Sequence, residues 1–456
     1  MKALWTAADL QAATGGNLAR AFECTGVSID SRAIGKGELF VALIDRRDGH
    51  DFVSDALVRG AAAGLVSRRP DNVPADAPLL TVPDTLAGLH ALGRFGRARF
   101  GGRVAAVTGS VGKTTTKEML RTVLGAFGPT HASAASYNNQ WGVPLTLARM
   151  PPGDAFAVIE IGMNMPGEIA PLARLAAPRV TLITAIEKAH LGHLGSLCAI
   201  ADEKAAIMEG LVAGGVAVLP ADTPALSRLE RGAGGRETRL FGERANAWAR
   251  LITATADADG TDVVADVDGA RVSFRLAAPG RHMAMNAVGA LAVAATLGLD
   301  VTRAAAALAG FAPMAGRGAR RCIRTRGGKA LLLDESYNAS AAAVRAALGV
   351  LELQAGRRKI AVLGDMLELG EHGASEHAGL APAVLAGADL LFTCGSLMET
   401  LFRAIPPARR GAHAADSAAL APIVAEAVRP GDAVLVKGSL GSRMKLVVDA
   451  LEHTDH

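Results

Sequence analysis

Thr108-Gly-Ser-Val-Gly-Lys-Thr-Thr115 decides how this chain is read. It follows an apolar stretch, Val104–Val107, that reads as a buried strand, and it leads into a helical pattern over Thr116–Leu124. Strand, glycine-rich turn and helix in that order make a phosphate cradle. Glycines let backbone N–H groups point inward, the helix N-terminus favours anions, and a lysine reaches the terminal phosphates. Thr108, Gly109, Ser110, Val111, Gly112, Lys113, Thr114 and Thr115 are therefore the expected nucleotide contacts. Thr114, directly after Lys113, is placed to ligand Mg²⁺. The strict Walker spacing asks for a glycine where Val107 stands. The plainer alternative is an ordinary strand-to-helix turn, and Gly-Lys-Thr-Thr in this setting argues against it. No Asn-Lys-x-Asp and no Leu-Ser-Gly-Gly-Gln segment occurs, which disfavours a GTPase and a transport ATPase.

Outward from the loop, apolar runs at Phe156–Ile161, Val180–Thr184 and Val216–Leu219 alternate with helical patterns, the signature of a parallel sheet with crossover helices. Asp262–Val267 and Arg271–Leu276 alternate around Asp268-Gly269, a hairpin turn, and Met283–Leu299 reads as an alanine-rich helix. This central unit is assigned residues 85–313. Before it, residues 1–84 form a small α/β domain, with a strand at Glu38–Leu43 and a helix at Phe52–Arg59. After it, residues 314–456 carry strands at Ala330–Asp334, Lys359–Gly364, Leu390–Cys394 and Ala433–Lys437. These read as a doubly wound, Rossmann-like domain without a GxGxxG fingerprint. The fold class is thus α/β in three domains.

Composition fits this reading. Half of the 456 residues are apolar and a fifth are charged, as in globular proteins with ample core. A formal charge of +4 and few aromatics give no ground for nucleic-acid binding. Met1–Leu10 lacks the pattern of a signal peptide, and Ala287–Leu299 is too short to span a bilayer. Cys24, Cys198, Cys322 and Cys394 are scattered, which suits reduced thiols and a cytoplasmic location without membrane insertion.

Further segments carry a family likeness. The loop resembles the shortened phosphate loop of the Mur ligases. Tyr137-Asn-Asn-Gln-Trp-Gly-Val-Pro144, Glu160-Ile-Gly-Met-Asn164, Ala189-His-Leu191, Pro279-Gly-Arg-His282 with Asn286, and Asp334-Glu-Ser-Tyr-Asn-Ala339 follow in that family's order. Gly364-Asp-Met-Leu-Glu-Leu-Gly370 and Lys437-Gly-Ser439 complete the set. Asp30-Ser-Arg32, Glu38–Ala42 and Asp48–Phe52 are similar to the UDP-sugar-binding domain of two subclasses. Asp334–Ala339 and Gly364–Gly370 are similar to the subclass that adds D-Ala-D-Ala, and the Asp-Asn-Pro-Arg segment of diaminopimelate-adding enzymes is missing.

The resemblance implies an ATP-dependent amide ligase acting on UDP-MurNAc-tripeptide and D-Ala-D-Ala, a monomer using ATP and two Mg²⁺ sites. The substrate carboxylate attacks the γ-phosphate of ATP, and the amine then displaces phosphate from the acyl phosphate. Lys113, Glu160, His190 and Lys204 become the catalytic set. Thr114, Glu160, His190 and Lys204 become the metal set, with Lys204 carbamylated, a reaction that needs a desolvated, neutral amine. Asn286, Arg317 and Asp334 join the nucleotide site. Here Met283 stands where the family's usual pattern has asparagine after the histidine. Ser31, Arg32, Asn138, Asn139, Tyr337, Asn338 and Lys437 are assigned to the substrates, the last to hold a carboxylate. His193, Asp202 and Glu203 are read as solvated. The rival readings are the neighbouring ligase that adds the third amino acid, a folylpolyglutamate synthase, and a non-catalytic nucleotide-regulated binding protein. The N-terminal domain argues against the folate enzyme, and joint retention of Lys113, Glu160, His190 and Lys204 argues against the binding protein.

Overall fold

The computed structural model describes residues 3–188 and 191–453. His190 lies outside the described residues, as does the side chain of His193. Three sheets organise the chain, each within one of the three expected stretches.

The central sheet has nine strands. Its parallel part runs Ala249–Ala256, Glu237–Gly242, Val216–Pro220, Val180–Ile183, Arg103–Thr108, Phe156–Glu160, Thr130–Ala132. Every residue of Phe156–Glu160, Val180–Ile183 and Val216–Pro220 is buried. Continuous apolar strands of this kind imply helices on both faces. Helices Lys113–Gly125 and Arg281–Thr296 cover one face; Gly142–Ala148, Ile169–Ala176 and Leu197–Ala205 cover the other. Ala249–Ala256 and the hairpin Thr261–Val267/Ala270–Leu276 extend the same sheet. Asp268 and Gly269 turn the hairpin at φ 56° and 79°, the paired positive values of a tight primed turn. Three strands carry no long apolar run and escape a sequence reading: Thr130–Ala132, Glu237–Gly242 and Ala249–Ala256 are largely half-buried or exposed.

Two helices differ from expectation. The helix after the phosphate loop begins at Lys113, not Thr116, because Gly112 turns the chain at φ 81° and leaves Lys113-Thr-Thr115 as the first helical turn. The helix that carries Lys204, which the sequence pattern predicts over Ala199–Leu211, is α-helical over Leu197–Ala205 and tightens to a 3₁₀ turn over Ala206–Gly210.

The N-terminal sheet is Asn17–Leu18, Leu79–Thr81, Ala63–Val66, Glu38–Val41, Gly26–Ser28, parallel except for its first pair. Its core includes Leu145 and Ala148 of the central unit. Trp5 Nε1 donates to Ala148 O at 2.9 Å, and Arg149 Nε to Val27 O at 2.5 Å. The helix Thr85–Arg99 buries Leu89 and Leu92 in this core, while Gly93 approaches Pro144 so closely that an added Cβ would lie 2.9 Å from its Cα.

The C-terminal sheet runs Ala319–Thr325, Gly328–Glu335, Ala433–Lys437, Lys359–Gly364, Leu390–Cys394, Arg410–Ala414, all parallel but the first pair. Two apolar clusters occupy its two faces. The last strand in sequence inserts beside the second, making Glu335 and Lys437 register partners at their carboxyl ends.

The central and C-terminal units touch. Gly192 N donates to Glu368 O at 2.9 Å, and Lys188 Nζ meets Glu376 Oε1 at 2.9 Å. A Cβ on Gly192 would lie 3.0 Å from Gly370 N, and one on Gly370 would lie 3.0 Å from Gly192 Cα.

Candidate active site

The carboxyl ends of the central and C-terminal strands face one cleft of about 540 Å³. Open α/β sheets gather ligands at that edge because loops and helix N-termini converge there. Ser110–Thr115, Asn138, Glu160 and Asn286 line it from the central side, and Arg317, Tyr337, Asn338 and Lys437 from the other.

The phosphate loop is tied down from below. Ser110 N donates to Ala185 O at 2.8 Å, Ser110 Oγ to Glu187 O at 2.9 Å, and Thr184 Oγ1 to Val111 O at 2.5 Å. Lys113 folds back onto the loop, its Nζ donating to Gly109 O at 2.7 Å and Ser110 O at 3.4 Å. Burial lowers its pKa, against the pull of Glu160. Thr108 and Gly109 lie beneath the cleft and do not line it.

Sheet register makes Glu160 the partner of Val107, so its carboxylate stands beside the loop. Oε1 accepts from Thr114 Oγ1 at 3.0 Å and from Asn138 Nδ2 at 2.8 Å. Oε2 is buried with no hydrogen-bond partner among the described residues. A buried carboxylate oxygen left open costs free energy unless a cation completes it. Beside a threonine hydroxyl it suits a hard divalent ion such as Mg²⁺. Among the described residues no group of three or more His, Cys, Asp or Glu gathers, so protein ligands alone would leave several positions to phosphate oxygens and water, as Mg²⁺ prefers.

Lys204 is 0% exposed, and its Nζ has no partner among the described residues. Desolvation first, then the Lys113 charge, holds its pKa well below the ordinary value. A shift in that direction favours the neutral form of the amine, the form that carbamylation requires.

Across the cleft, the Arg317 guanidinium stacks 4.1 Å over the Tyr337 ring and donates to Ser136 Oγ at 2.8 Å. Ser136 Oγ lies 3.1 Å from Thr114 Oγ1. Lys437, 3% exposed, donates to Glu335 Oε2 at 3.1 Å and Asn338 O at 3.0 Å. Asn286 sits against Gly112, where an added Cβ would come within 2.7 Å of its Oδ1.

Besides Thr108, Gly109 and the buried Lys204, four assigned residues do not line the cleft. Asp334, expected at the nucleotide, is 0% exposed and does not line the cleft. Its carboxylate is committed to Arg321 and to Ser336, whose Oγ donates to it at 2.6 Å, and its neighbour Glu335 faces the cleft instead. Asn139 is turned to its own chain, accepting from Trp141 N and Gly142 N at 3.2 and 3.0 Å and so starting the helix Gly142–Ala148. Ser31 and Arg32 lie in a 3₁₀ turn of the N-terminal domain, outside this cleft; Arg32 pairs with Asp30 at 2.8 Å. Glu203, read as solvated, accepts from Gly167 N at 2.8 Å and Ile169 N at 3.1 Å. Asp202 is exposed and pairs with Arg228.

Sequence reasoning gave no role to Ser136, to His282 and Glu335 within the quoted segments, all of which line the cleft, or to the buried Lys117. Glu335 could have been found from strand alternation beside Asp334. Ser136 and Lys117 carry no local signal, since a serine in a loop and a lysine in a helix are ordinary. Burial lowers the His282 pKa, while Glu335 opposes the shift.

Residues 107–294 match the Mur ligase middle domain and residues 320–440 the Mur ligase, glutamate ligase domain. The chain therefore belongs to the Mur ligase family of ATP-dependent ligases. A UDP-N-acetylmuramoyl-tripeptide--D-alanyl-D-alanine ligase from Synechocystis sp. is 34% identical over 446 residues, 95% of this chain and 93% of that protein. The structure of MurF from Acinetobacter baumannii superposes with a TM-score of 0.85 at 29% identity, covering 98% of this chain and 99% of that one. MurF from Thermotoga maritima, solved in complex with ADP, gives a TM-score of 0.78 at 28% identity over 94% of this chain and 97% of its own.

Proposed function

We propose that this chain joins D-Ala-D-Ala to UDP-MurNAc-tripeptide with ATP in peptidoglycan precursor synthesis. The observation that carries the reading is one cleft with a phosphate loop, Lys113, Thr114 and Glu160 on one wall and Arg317, Tyr337, Asn338 and Lys437 on the other. Full-length similarity to ligases of that name supports the substrate choice.

Thr114 and Glu160 would hold Mg²⁺, with Lys204 as its carbamate and His190 at a second metal position. A metal ion there neutralises charge on the phosphates. Lys113 and the amides of Ser110–Thr115 would bind those phosphates, Asn286 the adenine, and Arg317 would close on the nucleotide from the linker Pro313–Gly318. Positioning and charge neutralisation supply most of the rate in phosphoryl transfer. Lys437 and Glu335 are set for a zwitterion, the ammonium group for the carboxylate of D-Ala-D-Ala and the carboxylate for its amine. Asn138, Tyr337 and Asn338 would orient the substrates, while Ser31 and Arg32 would take the uridine diphosphate end. Among the described residues no helix is long and apolar enough to cross a membrane; we place the enzyme in the cytoplasm as a monomer.

Phosphate release with UDP-MurNAc-tripeptide, ATP and Mg²⁺, with and without D-Ala-D-Ala, tests the reading. We expect turnover with D-Ala-D-Ala at least about a hundredfold above D-Ala, L-Lys or diaminopimelate, a gap of ~2.7 kcal/mol. Product from the UDP-linked dipeptide and diaminopimelate alone would transfer the chain to the neighbouring subclass.

A further inference from the structure

Lys117 is the largest charged side chain, with Lys204, among those sealed from solvent. It does not line the cleft. Its Nζ donates to Ser133 O at 2.7 Å and Ala135 O at 3.3 Å, and meets Glu118 Oε1 at 2.8 Å. Glu118 is also held by Arg121 at 2.7 Å. Burying a lysine is costly, and here the cost is met by one carboxylate and two backbone carbonyls of a segment that has no helix of its own. That segment, 133–138, leaves the strand Thr130–Ala132 and crosses the edge of the cleft. The two carbonyls flank its turn, and the residues that follow do the contacting. Ser136 Oγ bridges Thr114 Oγ1 and Arg317 Nη2, and Asn138 Nδ2 reaches Glu160 Oε1. The Asn138 carbonyl accepts from Gly162 N at 2.7 Å, and a Cβ on Gly162 would lie 2.8 Å from Asn138 Cγ, so the far end is seated without slack. Backbone carbonyls can be released to water at small cost, whereas a buried ammonium cannot. The lysine therefore fixes the segment more firmly than two neutral hydrogen bonds would.

We propose that Lys117 is a positioning residue of the ligase: from behind the sheet edge it locks 133–138 in the conformation that sets Ser136 and Asn138 on Thr114, Glu160 and Arg317. The inference rests on the functional reading above only for what the site binds. The mechanical part stands on the hydrogen bonds alone. Three sites are linked through this segment: the helix that begins at Lys113, the strand-end carboxylate, and the linker arginine. Lys117 lies one helical turn after Lys113, so the helix that carries the phosphate lysine also carries the clamp.

Lys117→Met and Lys117→Arg, made in the full chain, test this by amide hydrogen exchange without ligand and by calorimetric titration with ADP, with and without Mg²⁺. For Lys117→Met we expect exchange at least about tenfold faster over 133–138, with protection unchanged in Arg103–Thr108. We also expect ADP–Mg²⁺ affinity to fall about tenfold while metal-free ADP affinity moves less than about threefold. Lys117→Arg should restore most of both. Unchanged exchange over 133–138 in a folded Lys117→Met overturns the proposal, as does loss of protection spread evenly over the whole central sheet. Should Lys117→Met not fold, Ser136→Ala decides: a fall in ADP–Mg²⁺ affinity with metal-free ADP affinity held supports the relay, and equal affinities overturn it. Failure of wild type to bind ADP at all would count against the nucleotide reading and leave the exchange result to judge the clamp.

Discussion

The two walls of the cleft are built on opposite plans. The central side keeps charged atoms buried and open: Glu160 Oε2 in the wall, and Lys204 Nζ, which does not line the cleft, have no partner among the described residues. On the C-terminal side the charges are paired: in the wall Lys437 meets Glu335 and the Asn338 carbonyl, and away from the lining Asp334 meets Arg321 and Ser336. Both walls are strand ends of parallel sheets, so topology does not make the difference. An unpartnered buried ion costs stability that only a bound partner returns. The central side is thus strained toward a ligand, whereas Asp334, Glu335 and Lys437 on the C-terminal side are already paired. Substitutions on the first should cost activity while sparing or raising stability; on the second they should cost stability.

The sharpest break of this contrast comes at Lys113. Lys113→Ala should lower turnover by more than about a hundredfold with an intact circular dichroism spectrum, since the side chain caps only loop carbonyls. A variant keeping over a tenth of wild-type kcat, under ~1.4 kcal/mol of barrier, removes Lys113 from the site. Glu160→Gln should lose roughly as much turnover, about a hundredfold, while Tm stays level or rises, because a neutral amide is cheaper to bury than a carboxylate with an open oxygen. A marked fall in Tm would mean the carboxylate is structural.

Lys204→Met separates the walls by pH. The folded pKa of Lys204 is lowered, so below the unfolded value near ~10.4 the unfolded chain binds more protons and stability rises with pH. The cost of the buried amine is largest at low pH and vanishes above that value. In CO₂-depleted buffer the variant should be inactive yet more stable than wild type at neutral pH by about 1 kcal/mol or more, with the gap closing as pH approaches ~10. Equal urea midpoints at every pH would show that Lys204 carries no such strain. On the C-terminal side, behind the lining, Asp334→Asn should lower stability by about 1–2 kcal/mol through the lost Arg321 pair, with KM for ATP moving less than about threefold. A large KM change would return Asp334 to the nucleotide site. The smallest effect belongs to Arg32, far from both walls and 83% exposed. Arg32→Ala should leave Tm and the ATP KM unchanged and raise KM for the UDP-linked substrate about threefold to tenfold.

The contrast also marks what the sequence discloses. Fully buried parallel strands announce themselves as apolar runs, so the frames of the central and C-terminal sheets are legible; in the N-terminal sheet only the strand at Glu38–Val41 is, because the other strands are short and give no long run. Ala319–Thr325 and Arg410–Ala414 are not, because edge strands with solvent on one side carry arginines and histidine where a core strand carries valine. At the site, Lys113, Thr114 and Glu160 follow from local chemistry plus strand order. Asp334 shows the limit: a carboxylate at a strand end is the right type, but alternation decides which of two neighbours faces out, and Glu335 does. Ser136 and Lys117 act through partners more than a dozen residues away, which no local pattern reports.

Gly192 and Gly370 meet backbone to backbone where the central and C-terminal units touch. Neither contributes a side chain, so at this contact the two units approach to main-chain thickness. A methyl group at either position acts as a shim: it holds the units a fraction of an ångström to an ångström apart without altering a single cleft-lining residue. Because Arg317 must span from the linker to Ser136, that small gap is read at the site as a missed hydrogen bond. The tolerance of the whole enzyme is in this sense set by two absent side chains.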